Sequence, residues 1–422
     1  MPTLPAQGTE PTERWHALDA VRGVALLLGV LLHASLSDLP GAGYWYIIAD
    51  ADSSTVLAGM FFVVHSFRML CFFLIAGFFA RLALQRWGSA QFIHDRSKRI
   101  GVPLLAGWFP IFAAIVAVVV WAAWVKGGGS LPSESPPGPA FTPSDFPLTH
   151  LWFLYLLLLC YAGALVWRGL LSLVDRQDRC GRIADRALTV LLRGWAPLLL
   201  APPLARALTA TAGWSPWFGI PTPDTSLYPN LAAVVGFGMA FALGWGIQRR
   251  ATMLLAQIQQ ARWTLLALAV LATVCCFAML GIAPAYVPDQ GAAELRLYAL
   301  LYAIAGWAWA LALVGHALQT LAGYSAWRRY LADASYWIYL MHLPLIMALQ
   351  VVAAQTDAPW WLEYSLINVV AMGLLLLSYR WWVRGSWIGA LLNGRRMGPL
   401  AASPRRSNDL SRSGLASAAG GQ

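Results

Sequence analysis

Apolar residues along the chain gather into long uninterrupted blocks, separated by shorter polar stretches. A helix that crosses a bilayer needs about 20 mostly apolar residues. Ten blocks qualify: 18–36, 57–80, 101–125, 148–168, 188–211, 229–248, 263–283, 295–318, 335–354 and 363–383. In hydrocarbon every backbone N–H and C=O must be satisfied within the segment, so each block predicts a helix. The expected fold is therefore all-α, a polytopic membrane protein with about ten transmembrane helices. The expected division is a cytoplasmic tail at 1–17, a ten-helix domain at 18–390 and a disordered basic cytoplasmic tail at 391–422. The Gly/Pro/Ser-rich stretch 127–147 reads as an outer loop, and 398–422 is of low complexity. No internal repeat is evident.

The stretches between blocks alternate in charge. Stretch 81–100 holds Arg81, Arg86, Arg96, Lys98 and Arg99, and 168–187 holds Arg168, Arg176, Arg179, Arg182 and Arg186. Arg249, Arg250 and Arg262 follow in 249–262, Arg328 and Arg329 in 319–334, and seven arginines in 380–422. With Arg14 these make up most of the 29 Lys and Arg. The alternate loops carry only Lys126 and Arg296 among many acidic residues. Basic loops stay in the cytoplasm, so both termini are expected inside. This pattern also accounts for the net charge of +10 without a nucleic-acid partner.

Composition agrees with a bilayer environment. Hydrophobic residues make up 59% of the chain and charged residues 11%, against about 25% charged in soluble domains. Cys71, Cys160, Cys275 and Cys276 lie in apolar runs and Cys180 in a basic loop, with no metal-site or disulfide spacing. They read as small core residues, and no metal is expected. The first 17 residues have Arg14 as their only Arg or Lys and no clean small-x-small cleavage site. The first block is expected to remain as a helix.

Six ionisable residues interrupt the apolar blocks: Arg22, His33, His65, Arg68, Arg206 and His342. A charge at the centre of a membrane helix costs roughly 2.5–3.5 kcal/mol on the insertion scale, and is a functional hypothesis by default. Arg206 and His316 are isolated and read as structural or snorkelling groups. The first two blocks run in opposite directions, which brings His33 and His65 to similar depth. Arg68 is three residues beyond His65 and shares its face. Histidine suits proton transfer near neutral pH, and the arginine suits an anionic group. Arg96, Lys98 and Arg99 at the inner face are either ordinary orienting charge or a phosphate site built from arginine forks. Arg22 and His33 are eleven residues apart, about 16 Å along a helix. That is comparable to an extended pantetheine arm, so a coenzyme A thioester would keep its phosphates on cytoplasmic arginines while its acyl group reached His33.

Several stretches carry a resemblance. "LDAVRGVALLLGVLLH" is similar to the first-helix signature of the membrane-bound acyltransferase 3 family, and "RSKR" to its second arginine motif. "HSFRMLCFFLIAGFF", "THLWFLYLLLL" and "ASYWIYLMHLPL" resemble a narrower branch, the glucans biosynthesis protein C family. The resemblance runs from about residue 18 to 350. It implies a ten-helix enzyme of the bacterial inner membrane that takes an acyl group from cytoplasmic acyl-CoA and adds it to an extracytoplasmic carbohydrate. In that branch the group is succinyl and the acceptor an osmoregulated periplasmic glucan. The essential Arg and His fall on Arg22 and His33, and the second arginine pair on Arg96 and Arg99. His65, Arg68, His150, Trp152 and His342 match branch patterns. Leu343 departs from the branch pattern, in which members can carry a second histidine at that place.

The expected activity is O-acyl transfer. His33 would be general base, with His65 a second catalytic candidate. Arg22, Arg96 and Arg99 would anchor the donor, succinyl-CoA or acetyl-CoA, which is a substrate; no permanently bound cofactor is expected. Arg68 would hold a succinyl carboxylate, and His150, Trp152 and His342 would serve the acyl or acceptor site. Trp45 and Trp360 fit the interfacial aromatic belt better than a sugar site. Three alternatives remain open: carbohydrate O-acetyl transfer, a glycolipid transporter, and a covalent route through His33 or Ser66.

Overall fold

The computed structural model describes residues 15–133, 138–175, 177–286 and 290–394. Most of the expected 1–17 and 391–422 tails, together with Arg14, Arg176 and the centre of the 127–147 loop, therefore lies outside the described residues. Among these residues thirteen α-helices run in the order α1 (His16–Ala34), α2 (Thr55–Arg96), α3 (Val102–Lys126), α4 (Trp152–Val174), α5 (Arg179–Val190), α6 (Ala196–Ala210), α7 (Leu231–Ile247), α8 (Ala251–Gln260), α9 (Arg262–Leu280), α10 (Ala292–Thr320), α11 (Ala326–Ala353), α12 (Trp360–Ser378) and α13 (Trp387–Asn393). Among the described residues no strand forms, apart from an isolated bridge between Thr142 and Asp145. Among the described residues nine helical runs are long and apolar enough to cross a membrane. The protein is an all-α polytopic membrane protein.

The tenth expected segment is found inside one of these nine. Thr55–Lys126 is a continuous run of 72 residues that takes in both 57–80 and 101–125. Its two ends meet the same end of the bundle. Ser54, which caps α2, donates its N–H to Asp38 O at 2.8 Å, and Ala122 near the end of α3 packs with Ile48, Met347 and Val351. The chain thus runs away and returns. It bends at Gly88, whose φ of 73° suits a residue without Cβ, and again through the wide turn Ser97–Gly101. Residues 85–91, around the first bend, are exposed.

Two boundaries differ from expectation because helices outlast the apolar blocks. α11 begins at Ala326, nine residues ahead of its block, capped by Ser325 and braced by the Arg329–Asp333 pair at 2.8 Å. Half of the basic 168–187 stretch forms the amphipathic α5, which Asp185 fastens to Arg249 at 2.6 Å and to Arg250 at 3.3 Å.

Small residues set the packing inside the bundle. Where α2 crosses α7, a methyl on Gly77 would overlap Phe241 O, and a methyl on Gly244 would overlap Leu74 O. Lipid tails are as apolar as leucine, so helices associate by such close backbone approach and not by leaving water. α10 is the most enclosed of the candidate spans and packs on α1, α2, α6, α8 and α9. The first and last described residues lie at one end of the bundle. Trp15 packs edge-on against Phe78 at 5.5 Å, and Arg99 donates to Leu392 O of α13.

Candidate functional site

α1 carries the two ends of the site. Arg22 sits in its second turn and His33 in its last, so the helix rise separates them by about 16 Å. Arg22, His33, His65, Arg68, Arg96, Arg99, His150, Trp152 and His342 all line the same cavity, of about 960 Å³. That is near the upper end for small-molecule sites. Its lining runs from Arg22, Arg96, Arg99, Leu392 and Asn393 at one end to Trp45, Phe218, Tyr286 and Asp224 at the other. Lys98 is exposed and does not take part, and Arg206 is exposed on α6. His316 packs on Trp263 at 4.7 Å, away from the lining.

Three imidazoles from distant parts of the chain meet at the His33 end. The His33 ring lies 5.1 Å from that of His342, and His342 lies 5.3 Å from His150. The tautomers of His342 and His150 follow from carbonyls that can only accept. His342 donates from Nδ1 to Tyr339 O at 2.7 Å, which leaves its Nε2 as an acceptor. His150 donates from Nε2 to Leu340 O at 3.2 Å, which leaves Nδ1 as an acceptor. His150 Nδ1 and His33 Nδ1 are buried with no hydrogen-bond partner among the described residues. Neutral imidazoles gathered in this way are the kind of group that takes a proton from a hydroxyl. Among the described residues no group of three or more His, Cys, Asp or Glu is placed to hold a metal ion.

Arg68 lies where its face predicts. Its guanidinium packs against Gly29, four residues from His33 and on the same face of α1, and a methyl at that position would collide with it. Arg68 Nε has no hydrogen-bond partner among the described residues. His65 lines the cavity too, but it stacks on Phe61 at 5.3 Å, and the nearest ring to His33 is His342.

At the other end Arg22 pairs with Asp19 at 3.4 Å and reaches Ala332 O at 3.5 Å. Arg96 lies over the rings of Phe92 and Tyr161, at 5.3 and 5.4 Å. Arg99 pairs with Asp95 at 3.6 Å, and its backbone carbonyl accepts from Tyr336 OH at 2.8 Å. Arg22 Nε and Arg96 Nε are buried without hydrogen-bond partners among the described residues.

Sequence reasoning missed Gln350. Fully buried, it donates from Nε2 to His33 O and Ala34 O, each at 3.1 Å, and to Ser37 Oγ at 3.2 Å, and its Oε1 accepts from Tyr46 OH at 2.7 Å. It satisfies the open carbonyls at the end of α1 and fixes the backbone that carries His33. Ser37 in turn donates to Asp38 at 3.0 Å, while burial pushes the Asp38 carboxyl up to about 7. The available signal was an amide inside an apolar block. Trp152 stacks on Phe237 at 5.5 Å. At the mouth, Trp45 donates to Tyr286 OH at 3.0 Å and meets Phe218 edge-on at 5.8 Å. Trp360 does not line the cavity.

Residues 15–380 match the acyltransferase domain family. The proteins named "Glucans biosynthesis protein C" from Shigella boydii serotype 4 (strain Sb227) and Escherichia coli (strain K12) are each 31% identical to the chain over 162 residues. That stretch is 37% of this chain and 39% of each relative, so the chain spans about two fifths of the length of the curated relatives it matches. No solved structure matches.

Proposed function

The chain belongs to the acyltransferase domain family, and from that premise we propose that it is an O-acyltransferase moving a succinyl group from cytoplasmic acyl-CoA to hydroxyls of an extracytoplasmic glucan. The observation that carries this reading is the cavity, which is lined by arginines at one end and histidines at the other. Its length suits a coenzyme A thioester with phosphates at Arg22, Arg96 and Arg99 and its carbonyl near His33. The acceptor hydroxyl attacks that carbonyl as His33 removes its proton. His342 and His150 set the polarity around the imidazole. The aromatic mouth formed by Trp45, Phe218 and Tyr286 suits a sugar ring, and Asp224 on the same lining suits its hydroxyls. The glucan is taken from the name of the curated relatives, and the succinyl group from the resemblance of the sequence motifs to that branch. The cytoplasmic termini rest on the alternating loop charge, and the bacterial inner membrane on the resemblance of the motifs to that family.

Mass spectrometry of periplasmic glucans tests the whole reading. Cells with the gene should show glucans heavier by succinyl groups, and cells without it should not. Identical spectra overturn it.

Two predictions probe the ends of the site. A hydrogen bond to a charged group is worth roughly 1.5–3 kcal/mol, so Arg99→Ala should weaken acyl-CoA binding by about one to two decades in calorimetry. Arg99 also holds α13, so Arg96→Ala and Arg22→Ala serve as parallel variants. Unchanged affinity in all three leaves these arginines as orienting charges only. At Arg68, a succinyl carboxylate needs a nearby cation that an acetyl group does not, because an unpaired buried ion is very costly. Arg68→Gln keeps much of the volume. It should lower transfer from succinyl-CoA far more than from acetyl-CoA, and an unchanged ratio points to a packing role and favours acetyl transfer.

A further inference from the structure

Thr149 adopts a conformation that its side chain disfavours. Its φ is +53°, in the left-handed region, where a β-branched residue is an outlier. The surrounding loops hold it there. Thr149 N–H donates to Asp224 O at 3.1 Å, Phe146 N–H to Thr225 O at 2.9 Å and Leu227 N–H to Pro143 O at 2.9 Å. Such strain persists where neighbouring structure over-determines it, and it clusters at functional sites.

The hydroxyl is a second, independent oddity. Thr149 Oγ1 is buried and has no hydrogen-bond partner among the described residues, yet Thr149 lines the cavity beside His150. Other threonines satisfy themselves on a carbonyl one turn back: Thr209 on Ala205, Thr211 on Ala207 and Thr273 on Ala269. Glycine would relieve the backbone, and valine would fill the same volume without an orphan donor. Together the two oddities point to a group that meets a ligand in the cavity.

We propose that Thr149 is a catalytic residue, whose Oγ1–H donates a hydrogen bond to the acyl carbonyl oxygen as that oxygen becomes an oxyanion. The assignment rests on the acyltransferase reading. The acceptor oxygen forms a bond to the thioester carbon, and its proton passes to His33. The carbonyl π pair moves to the oxygen that Thr149 contacts. When the tetrahedral intermediate collapses, this pair re-forms C=O and the C–S bond breaks. Sulfur leaves with the bonding pair and takes the proton from His33, giving an ester and a free thiol. A donor held in place before the reaction stabilises charge that exists only in the transition state, and the strained turn is what keeps this donor in place.

The test follows thiol release by the purified full chain in detergent, with succinyl-CoA and a linear β-glucan oligosaccharide as probes. Thr149→Val and Thr149→Gly should each lower kcat about ten- to hundredfold with KM for either substrate unchanged. Thr149→Ser should stay near the wild-type rate. Thr149→Gly should melt at or above the wild-type temperature, so its loss of rate is not a folding defect; should it fold poorly, Thr149→Val carries the comparison. Wild-type rates in Thr149→Val, or a raised KM at unchanged kcat, overturn the assignment. A wild-type protein that releases no thiol instead sinks the acyltransferase reading, and this assignment with it.

Discussion

Replacing His33 by alanine should abolish acyl transfer while leaving the protein folded and inserted. General-base help is typically worth about 10²–10⁴ in rate, which would bring turnover below detection in most thiol-release assays. The fold should survive because Gln350 grips the carbonyls of His33 and Ala34, not the imidazole. The end of α1 therefore keeps its partners in the variant. The bare His33 Nδ1 makes no hydrogen bond among the described residues whose loss would strand another polar group. Purified His33→Ala protein should elute as the wild type does from size exclusion and melt within a few degrees of it. Near-normal activity in that sample would remove His33 from the chemistry and turn attention to His342, whose ring lies 5.1 Å away.

The second large effect concerns the fold. Gly244→Val should prevent accumulation of monodisperse protein, because its Cβ would enter the space of Leu74 O on α2. Overpacking a core typically costs 1–3 kcal/mol and occasionally more, and the higher end applies where the obstructing atom belongs to a helix backbone that cannot rotate aside. α2 carries His65 and Arg68, so a displaced crossing would also disturb the cavity. Gly238→Val, six residues earlier on the same helix, meets nothing within 4 Å and serves as the control. Fluorescence-detected size exclusion of both variants decides the matter. Equal behaviour of the two would show that the crossing tolerates a side chain.

Much of the architecture was legible because the bilayer imposes one rule on every segment. Each expected block is helical, since backbone polar groups in hydrocarbon have no alternative. The site was legible in part for a related reason. An ionisable residue in lipid needs a purpose, and that made Arg22, His33, His65, Arg68 and His342 stand out. The hinge was less visible. Hydropathy marks where the chain leaves the apolar layer, but the helix from Thr55 continues through its polar stretch to Lys126. α5 was hidden likewise, because its amphipathic face is short and its anchor, Asp185, finds Arg249 across 64 residues of sequence.

By itself the sequence determined that this chain is helical, which blocks run through the apolar layer, and that charge and imidazole recur at chosen depths along α1 and α2. These are consequences of burying backbone and charge in hydrocarbon, and they act on each segment alone. Only the tertiary structure decided that His342 and His150 stand beside His33, that Gly29 makes room for Arg68, and that Gln350 holds the end of α1. Inside a membrane every helix face is apolar whether it meets lipid or protein, so the pattern of a segment does not disclose its neighbour. The neighbour is fixed by shape, at positions such as Gly77 and Gly244, and by a few polar groups that find their partners hundreds of residues away.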